Sequence, residues 1–330
     1  TSGQFGKWHL GGGGPEQHGF DESFVTAGRH FNWRVPPGEK AAPDEYLTDR
    51  LTDEAVEFIE ANAKRPFLVH LCHYAVHIPL QAKQELIEKY KKKADPLSLY
   101  QNPIYAAMIE SVDVSVGRVL AKLEELNLAE NTVVIFTSDN GGLTRTYTGT
   151  GPIVTTNEPL RSEKGSLYEG GIRVPLIVRW PGRVEAGTEC PEPVSSIDFY
   201  PTILGIAGVG GDVEDKVDGL SLLPLLSAAA NQLDRDSLFW HYPHYPHTTP
   251  CGAIRQREYK LIEYYEDGRL ELYNLEKDIG ETKNLADEMP DRAKAMAQRL
   301  AQWREEVGAK MPKPNPNFDP DRAEEWGRRK

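Results

Sequence analysis

Apolar residues recur at helical spacing in three long stretches of this chain. Leu47, Leu51, Ala55, Phe58 and Ile59, between Asp44 and Ala63, form one stripe of an amphipathic helix that Pro66 ends. Ile104, Met108, Val112, Val116, Leu120 and Leu123 keep the spacing for about six turns after Pro103, which suits a first helical turn. A third stripe, Ala295, Met296, Leu300 and Trp303, predicts a helix from about Asp291 to Val307. Between these lie short apolar runs. Phe67 to Leu71 and Val174 to Trp180 read as strands, and the β-branched run Thr132 to Thr137 reads as a central parallel strand buried on both faces. Ser195 or Ser196 can cap a shorter helix starting near Asp198, with Pro201 in its first turn and Gly205 and Gly208 about its end.

From Ser237 the pattern changes to period two. Ser237 to Tyr242, Ala253 to Arg257, Lys260 to Tyr265 and Leu270 to Leu275 predict a small antiparallel sheet, with Glu266-Asp267-Gly268 as a hairpin turn and the last long helix packed on it. Residues 1–43 are too rich in glycine and proline for long elements and read as loop. Residues 311–330, with prolines at 312, 314, 316 and 320, read as an irregular tail. The alternation of strand and helix predicts an α/β domain over residues 1–227, with its site at the carboxyl ends of the strands, and a sheet subdomain over 228–330.

Composition narrows the partners. Among 330 residues, 39% are hydrophobic and 27% charged, which excludes a disordered, collagen-like or coiled-coil chain. Lys+Arg 38 against Asp+Glu 50 gives a net charge of −12, which repels polyphosphate and argues against nucleic acid. No apolar run reaches the roughly 18 residues of a membrane span. Cys72, Cys190 and Cys251 make neither a disulfide framework nor a zinc spacing and read as small core residues.

Several positions carry candidate chemistry. Lys7 and His9 stand two apart between glycines, so in an extended chain a cation and a base share one face. Asp139 and Asn140, followed by Gly141-Gly142, close the most hydrophobic strand and offer a carboxylate and an amide oxygen to a hard cation such as calcium, which needs about 6 to 8 oxygens in all; an Asx turn is the alternative. His77 sits among apolar neighbours, a setting that lowers a histidine pKa unless an anion compensates, and it is a candidate proton donor to a leaving group. His70 and His73 read as hydrogen-bonded core residues. Lys164 lies in a glycine-rich loop, and His241, Tyr242, His244, Tyr245 and His247 cluster where they can meet a sugar face or merely cover the sheet.

Taken together, the segments Gly6-Lys7-Trp8-His9-Leu10-Gly11, His77-Ile78-Pro79-Leu80, Ser138-Asp139-Asn140-Gly141-Gly142, Lys164-Gly165 with Tyr168-Glu169-Gly170-Gly171-Ile172-Arg173-Val174-Pro175, and Asp218 to Leu226 resemble, in order, those of type I formylglycine-dependent sulfatases. Tyr259-Lys260-Leu261-Ile262 and Leu272 to Asp278 with Glu281 and Asn284-Leu285 also look like that family. The resemblance implies the alkaline-phosphatase-like α/β sandwich, with a large mixed or parallel sheet between helices. It implies hydrolysis of sulfate esters, with sulfated carbohydrates favoured by the aromatic and histidine cluster 239–247. Asp139 and Asn140 are then ligands of calcium, with magnesium second, and Lys7 and Lys164 neutralise sulfate oxygens. His9 meets the formylglycine hydrate and takes its proton, while His77 serves the leaving oxygen with Lys164. His241 and His244 are candidate substrate contacts.

The family's nucleophile motif, Cys or Ser followed two residues later by Pro, Ser or Ala and then by Arg, is absent, as are its paired N-terminal aspartates. Both precede the Lys7 segment in the family. The expectation is therefore a chain lacking roughly a hundred N-terminal residues and inactive alone. Two other readings remain: a phosphate or phosphonate ester hydrolase of the same superfamily, which usually wants a further His and Asp metal cluster, and a catalytically dead protein that binds sulfated glycans. The resemblance places the protein in the periplasm or outside the cell and leaves its oligomeric state open.

Overall fold

The strand β1 (Ser2–Gly6) has one apolar side chain and no β-branched residue, yet it is the middle strand of a three-stranded parallel sheet. In the computed structural model every residue is described except 27–28, 36–37, 94–100, 145–152, 210–216, 246–247, 314–315 and 317–330. The chain divides into two compact units, residues 1–133 with 145–155, and residues 134–144 with 156–330.

In the first unit β1 pairs with β2 (Glu22–Phe24), a short hairpin joins β3 (Arg34–Val35) to β4 (Glu39–Lys40), and helix α1 (Leu47–Ala61) follows. Beyond it, β5 (Leu68–Cys72) runs parallel to β1, with Ser2 opposite Leu68 and Gly6 opposite Cys72. The loop expected over residues 1–43 is thus partly strand. What makes β1 a strand is pairing on both edges and the burial of Phe5 with Phe24, Trp33, Leu51 and Phe58, none of which local composition signals. Gly6 is required where it stands: its φ is +109°, and a Cβ there would lie 1.9 Å from the Cys72 carbonyl oxygen.

Helix α1 buries the predicted stripe, Leu47, Leu51, Ala55, Phe58 and Ile59. Helix α2 (Gln84–Lys93) was not expected; its apolar residues Leu86, Ile87 and Tyr90 are few and pack beside Ala82, Ala107 and Met108. Helix α3 (Pro103–Glu125) has the predicted length, and the Asn102 side chain caps it by accepting from the Ile104 and Tyr105 amides at 3.0 and 3.1 Å. Its buried face is rotated from the predicted one. Ala107, Met108, Ser111, Ser115 and Leu123 are buried, while Val112, Val116 and Leu120 are only half-buried. Small residues let α1 approach, and Ser115 Oγ lies 2.6 Å from Thr52 Oγ1 on α1.

In the second unit β6 (Val134–Thr137) precedes the one-turn helix α4 (Glu169–Ile172) and β7 (Leu176–Arg179). The central parallel strand expected at Thr132 to Thr137 is overturned: β6 pairs antiparallel with β7, and Phe136 and Ile177 are 39% and 62% exposed. A run of β-branched residues marks apolar faces but not strand direction. Among the described residues between the two strands the helix α4 has only four residues, too few for the crossover helix that a parallel pair needs. A single 3-10 turn at Ser196–Asp198 leads into α5 (Phe199–Ile206), and the Asp198 carboxylate accepts from the Ser195 amide at 2.8 Å. After the short α6 (Leu223–Leu226), four strands follow within two residues of prediction: β8 (Leu238–Tyr242), β9 (Cys251–Gln256), β10 (Tyr259–Tyr264) and β11 (Leu270–Asn274). They form one antiparallel sheet in the order β11-β10-β9-β8. Helix α7 (Pro290–Glu306) lays Ala293, Met296 and Leu300 on Ile254, Leu261 and Leu272. Ala295, expected in that stripe, is exposed; the i, i+3, i+7 row runs through Ala293 instead.

Candidate active site

Adjacent parallel strands deliver the first group of candidates. Lys7 follows β1 directly; its amide donates to the Cys72 carbonyl at 2.8 Å, and its carbonyl accepts from the buried Gln4 side chain at 3.1 Å. The Lys7 side chain is half-buried, while His9 is exposed beside Leu10, itself 68% exposed. The strand ends at Gly6, so the alternation of an extended chain does not carry through to Lys7 and His9.

His77 lies in the loop after β5. Its amide donates to the Tyr74 carbonyl at 2.9 Å, and its ring Nδ1 is 2.7 Å from the Ile78 carbonyl oxygen. A carbonyl only accepts, so Nδ1 is the protonated nitrogen of the neutral ring. The His77 carbonyl in turn accepts from His30 Nε2 at 2.9 Å. His30, which sequence reasoning passed over, is buried, and burial pushes its pKa below the usual histidine range. His73, expected to be a core residue, is pushed down to about 4 by burial, with Nε2 2.8 Å from Ser115 Oγ. His70, also expected in the core, is instead exposed, with Nε2 3.0 Å from Cys72 Sγ.

The second unit holds Asp139, Asn140 and Lys164. Asp139 Oδ1 accepts from the Asn140 amide at 3.0 Å, and Asn140 Nδ2 donates to the Gly141 carbonyl at 2.9 Å. Among the described residues no donor reaches Asp139 Oδ2 or Asn140 Oδ1. One carboxylate oxygen and one amide oxygen suit a hard divalent cation, and no group of three or more His, Cys, Asp or Glu that could hold a metal occurs among the described residues. The turn is fixed from behind. The Gly141 amide donates to the Gly171 carbonyl at 3.0 Å, and a Cβ on Gly141 would lie 1.8 Å from the Gly170 carbonyl oxygen.

Lys164 is half-buried on the loop that this contact clamps. The Gly170 amide donates to the Arg161 carbonyl at 2.8 Å, and the Ser166 amide donates to the Glu163 carbonyl at 3.1 Å. Asn157 joins the pieces: Nδ2 donates to the Gly142 carbonyl at 2.8 Å and to the Ser162 carbonyl at 3.0 Å, and Oδ1 accepts from the Gly142 amide at 3.0 Å. The Asp139 turn and the Lys164 loop are therefore one hydrogen-bonded piece. In the C-terminal sheet both ring nitrogens of His241 are engaged, Nδ1 with Tyr265 Oη at 2.7 Å and Nε2 with the Lys310 carbonyl at 3.0 Å. His244 is exposed with its ring edge against Tyr242, and His247 lies outside the described residues.

Comparison with known proteins supplies further findings. Residues 1–209 match the family model described as sulfatase, and residues 162–306 match that of the C-terminal region of N-sulphoglucosamine sulphohydrolase. A sulfatase of Formosa agariphila is 39% identical over 285 residues, covering 78% of this chain and 50% of the relative. The steryl-sulfatase of Homo sapiens is 37% identical over 197 residues, covering 59% of this chain and 32% of that protein. The chain thus spans a third to a half of the length of these two relatives. A crystal structure of Ps i-CgsB in complex with k-i-k-neocarrahexaose superposes with a TM-score of 0.77 at 28% identity, covering 91% of this chain and 70% of that one.

Proposed function

This chain belongs to the sulfatase family, with its alkaline-phosphatase-like α/β fold, and we propose that it supplies the sulfate-binding and leaving-group residues of a hydrolase acting on sulfated carbohydrates. The observation that carries this reading is placement. Lys7 and His77 follow the carboxyl ends of the paired parallel strands β1 and β5, which is where α/β sheets hold their ligands, and in the second unit the Asp139 turn and the Lys164 loop are hydrogen-bonded to each other through Asn157. Residues 1–227 are proposed as the catalytic part and residues 228–330 as its sheet subdomain.

Sulfuryl transfer builds negative charge on the sulfate and leaving oxygens, and preorganised cations stabilise it. Lys7 and Lys164 supply that charge. His77, protonated on Nε2 with Nδ1–H held by the Ile78 carbonyl, gives a proton to the leaving oxygen, and His9 serves as a base. Asp139 and Asn140 hold a divalent cation, calcium ahead of magnesium, which when bound neutralises sulfate oxygens. The roles given are those of residues present.

A carbohydrate substrate is supported by the likeness to the k-i-k-neocarrahexaose complex at 28% identity and by the exposed His244. His241 serves from within the sheet rather than through a free ring nitrogen. Periplasmic or extracellular residence suits the calcium requirement, and no described helix is long and apolar enough to cross a membrane. The test is equilibrium binding of sulfated monosaccharides, their unsulfated counterparts and an aryl sulfate, with calcium, to the chain and to its K7A and K164A variants. Calcium-dependent binding of the sulfated sugars, weakened at least about tenfold in each variant, is expected. Binding that ignores the sulfate or survives both substitutions overturns the reading, and preference for the aryl ester overturns its carbohydrate part.

A further inference from the structure

Three sequence segments far apart in the chain meet in one buried ion cluster that the proposed chemistry does not use. Lys260 on β10 is 0% exposed, and its Nζ lies 3.0 Å from Glu169 Oε1 and 2.9 Å from Glu281 Oε1, both carboxylates buried. Glu281 Oε2 accepts from the Glu169 amide at 2.7 Å, so Glu281 holds both the Lys260 side chain and the first residue of α4. Arg161 Nη1 donates to the Glu281 carbonyl at 2.8 Å and to Tyr273 Oη at 3.0 Å. Arg173 and Arg255 approach Glu169 Oε2 at 3.6 and 3.9 Å.

A buried ion group of this kind contributes little net stability compared with packed apolar residues, and its best-attested use is to select one arrangement. The arrangement fixed here is local and can be followed atom by atom. Glu169 opens α4, and the next two residues are the ones that clamp the site. The Gly170 amide holds Arg161 at the base of the Lys164 loop, and the Gly171 carbonyl holds the Gly141 amide behind Asp139 and Asn140. Neither glycine has room for a side chain, because a Cβ on Gly170 would lie 2.4 Å from the Arg161 and Ser162 carbonyl oxygens, and one on Gly171 2.3 Å from that of Ser166. A shift of Glu169 is therefore handed on to both site segments.

We propose that Lys260, through Glu169 and Glu281, is a positioning residue that sets the Asp139–Asn140 turn and the Lys164 loop for ligand binding. This rests on the functional reading above for what those segments bind, but not for the clamp itself. Replacing Lys260 leaves two buried carboxylates facing each other, and burial already pushes the Glu281 carboxyl above its usual range.

The experiment compares K260M, the milder E169Q, and L300A in the full chain. Leu300 packs α7 on the sheet through Ile254, Leu261 and Leu272, so L300A costs stability without touching the clamp. Amide hydrogen exchange at Gly141 and Gly170, calcium affinity and thermal midpoint are measured for each. In K260M, exchange at the two glycine amides accelerates by about tenfold or more, E169Q falls between K260M and the unsubstituted chain, and L300A lowers the midpoint with those amides unchanged. Calcium binding weakens about tenfold in K260M and is retained in L300A. If K260M does not fold, K260M/E281Q, which removes one of the facing carboxylates, gives the same comparison. Exchange at Gly141 and Gly170 no faster in the Lys260 variant than in L300A overturns the proposal. A clamp that loosens as expected in a chain whose unsubstituted form does not bind calcium upholds the positioning role and counts against the functional reading instead.

Discussion

Gly141→Ala is the sharpest perturbation of the candidate cation site, because it adds one methyl group beside Asp139 and Asn140 and alters no ligand. A Cβ at this position would stand 1.8 Å from the Gly170 carbonyl oxygen, 2.8 Å from its carbon and 3.3 Å from the Gly171 Cα, all backbone atoms that no side-chain rotation can move aside. Relief demands that the two backbones separate by about 1 Å, an overpacking cost of about 1–3 kcal/mol. The separation pulls directly on the 3.0 Å hydrogen bond from the Gly141 amide to the Gly171 carbonyl. Disturbing the groups that orient metal ligands typically weakens affinity by about 10- to 100-fold. Titration calorimetry with calcium on the unsubstituted chain and G141A measures the change, with near-UV circular dichroism to establish that both are folded. A folded G141A that binds calcium as tightly as the unsubstituted chain refutes the placement of the cation at Asp139 and Asn140.

Asp198, buried and paired with Arg235 through two 2.8 Å hydrogen bonds, is penalised by burial, yet Arg235 and the Leu220 and Ser195 amides prevail and hold its carboxyl below the ordinary aspartate range. Its stabilising contribution is complete above the unfolded value of about 4 and is lost as pH falls through the lower folded value, so R235M shows a smaller loss of stability in urea titrations carried from pH 7 to below pH 4. Leu300→Ala removes a fully buried side chain between α7 and the C-terminal sheet and costs about 2–5 kcal/mol in denaturant unfolding. His30→Phe removes the donor to the His77 carbonyl; the lost hydrogen bond costs about 0.5–1.5 kcal/mol, and a changed His77 ring resonance in the NMR spectrum of a folded variant reports the lost anchor.

The parts legible in the sequence were those in which local pattern and tertiary environment agree. The C-terminal sheet alternates with period two over strands that pair with their sequence neighbours, so β8 to β11 could be placed within two residues. Strand β1 was hidden because its partners are β2 and β5, and residues 2–6 offer one apolar side chain between two glycines. The antiparallel direction of β6 is not legible because a β-branched run is the same in either orientation. On α3 the large residues mark a different face from the buried one, because close approach to α1 selects Ala107, Ser111 and Ser115. At the site, Lys7, His77, Asp139 and Lys164 stand out as motifs, but their supports do not. His30 lies 47 residues from the carbonyl it holds, and Lys260 lies 91 residues from Glu169, distances at which a charge reads only as solvated surface.

The central claim, a sulfate ester site with its leaving-group chemistry on His77 and Lys164, is tested most directly by sulfate release. The assay follows free sulfate from sulfated monosaccharides, with calcium and after its chelation, in the protein that carries this chain together with the formylglycine motif, unsubstituted and as K164A and H77A. The account predicts calcium-dependent release that falls by about 10²- to 10³-fold in each variant, the cost of losing one charge-stabilising or proton-donating group. Release that persists at the original rate in both variants contradicts it.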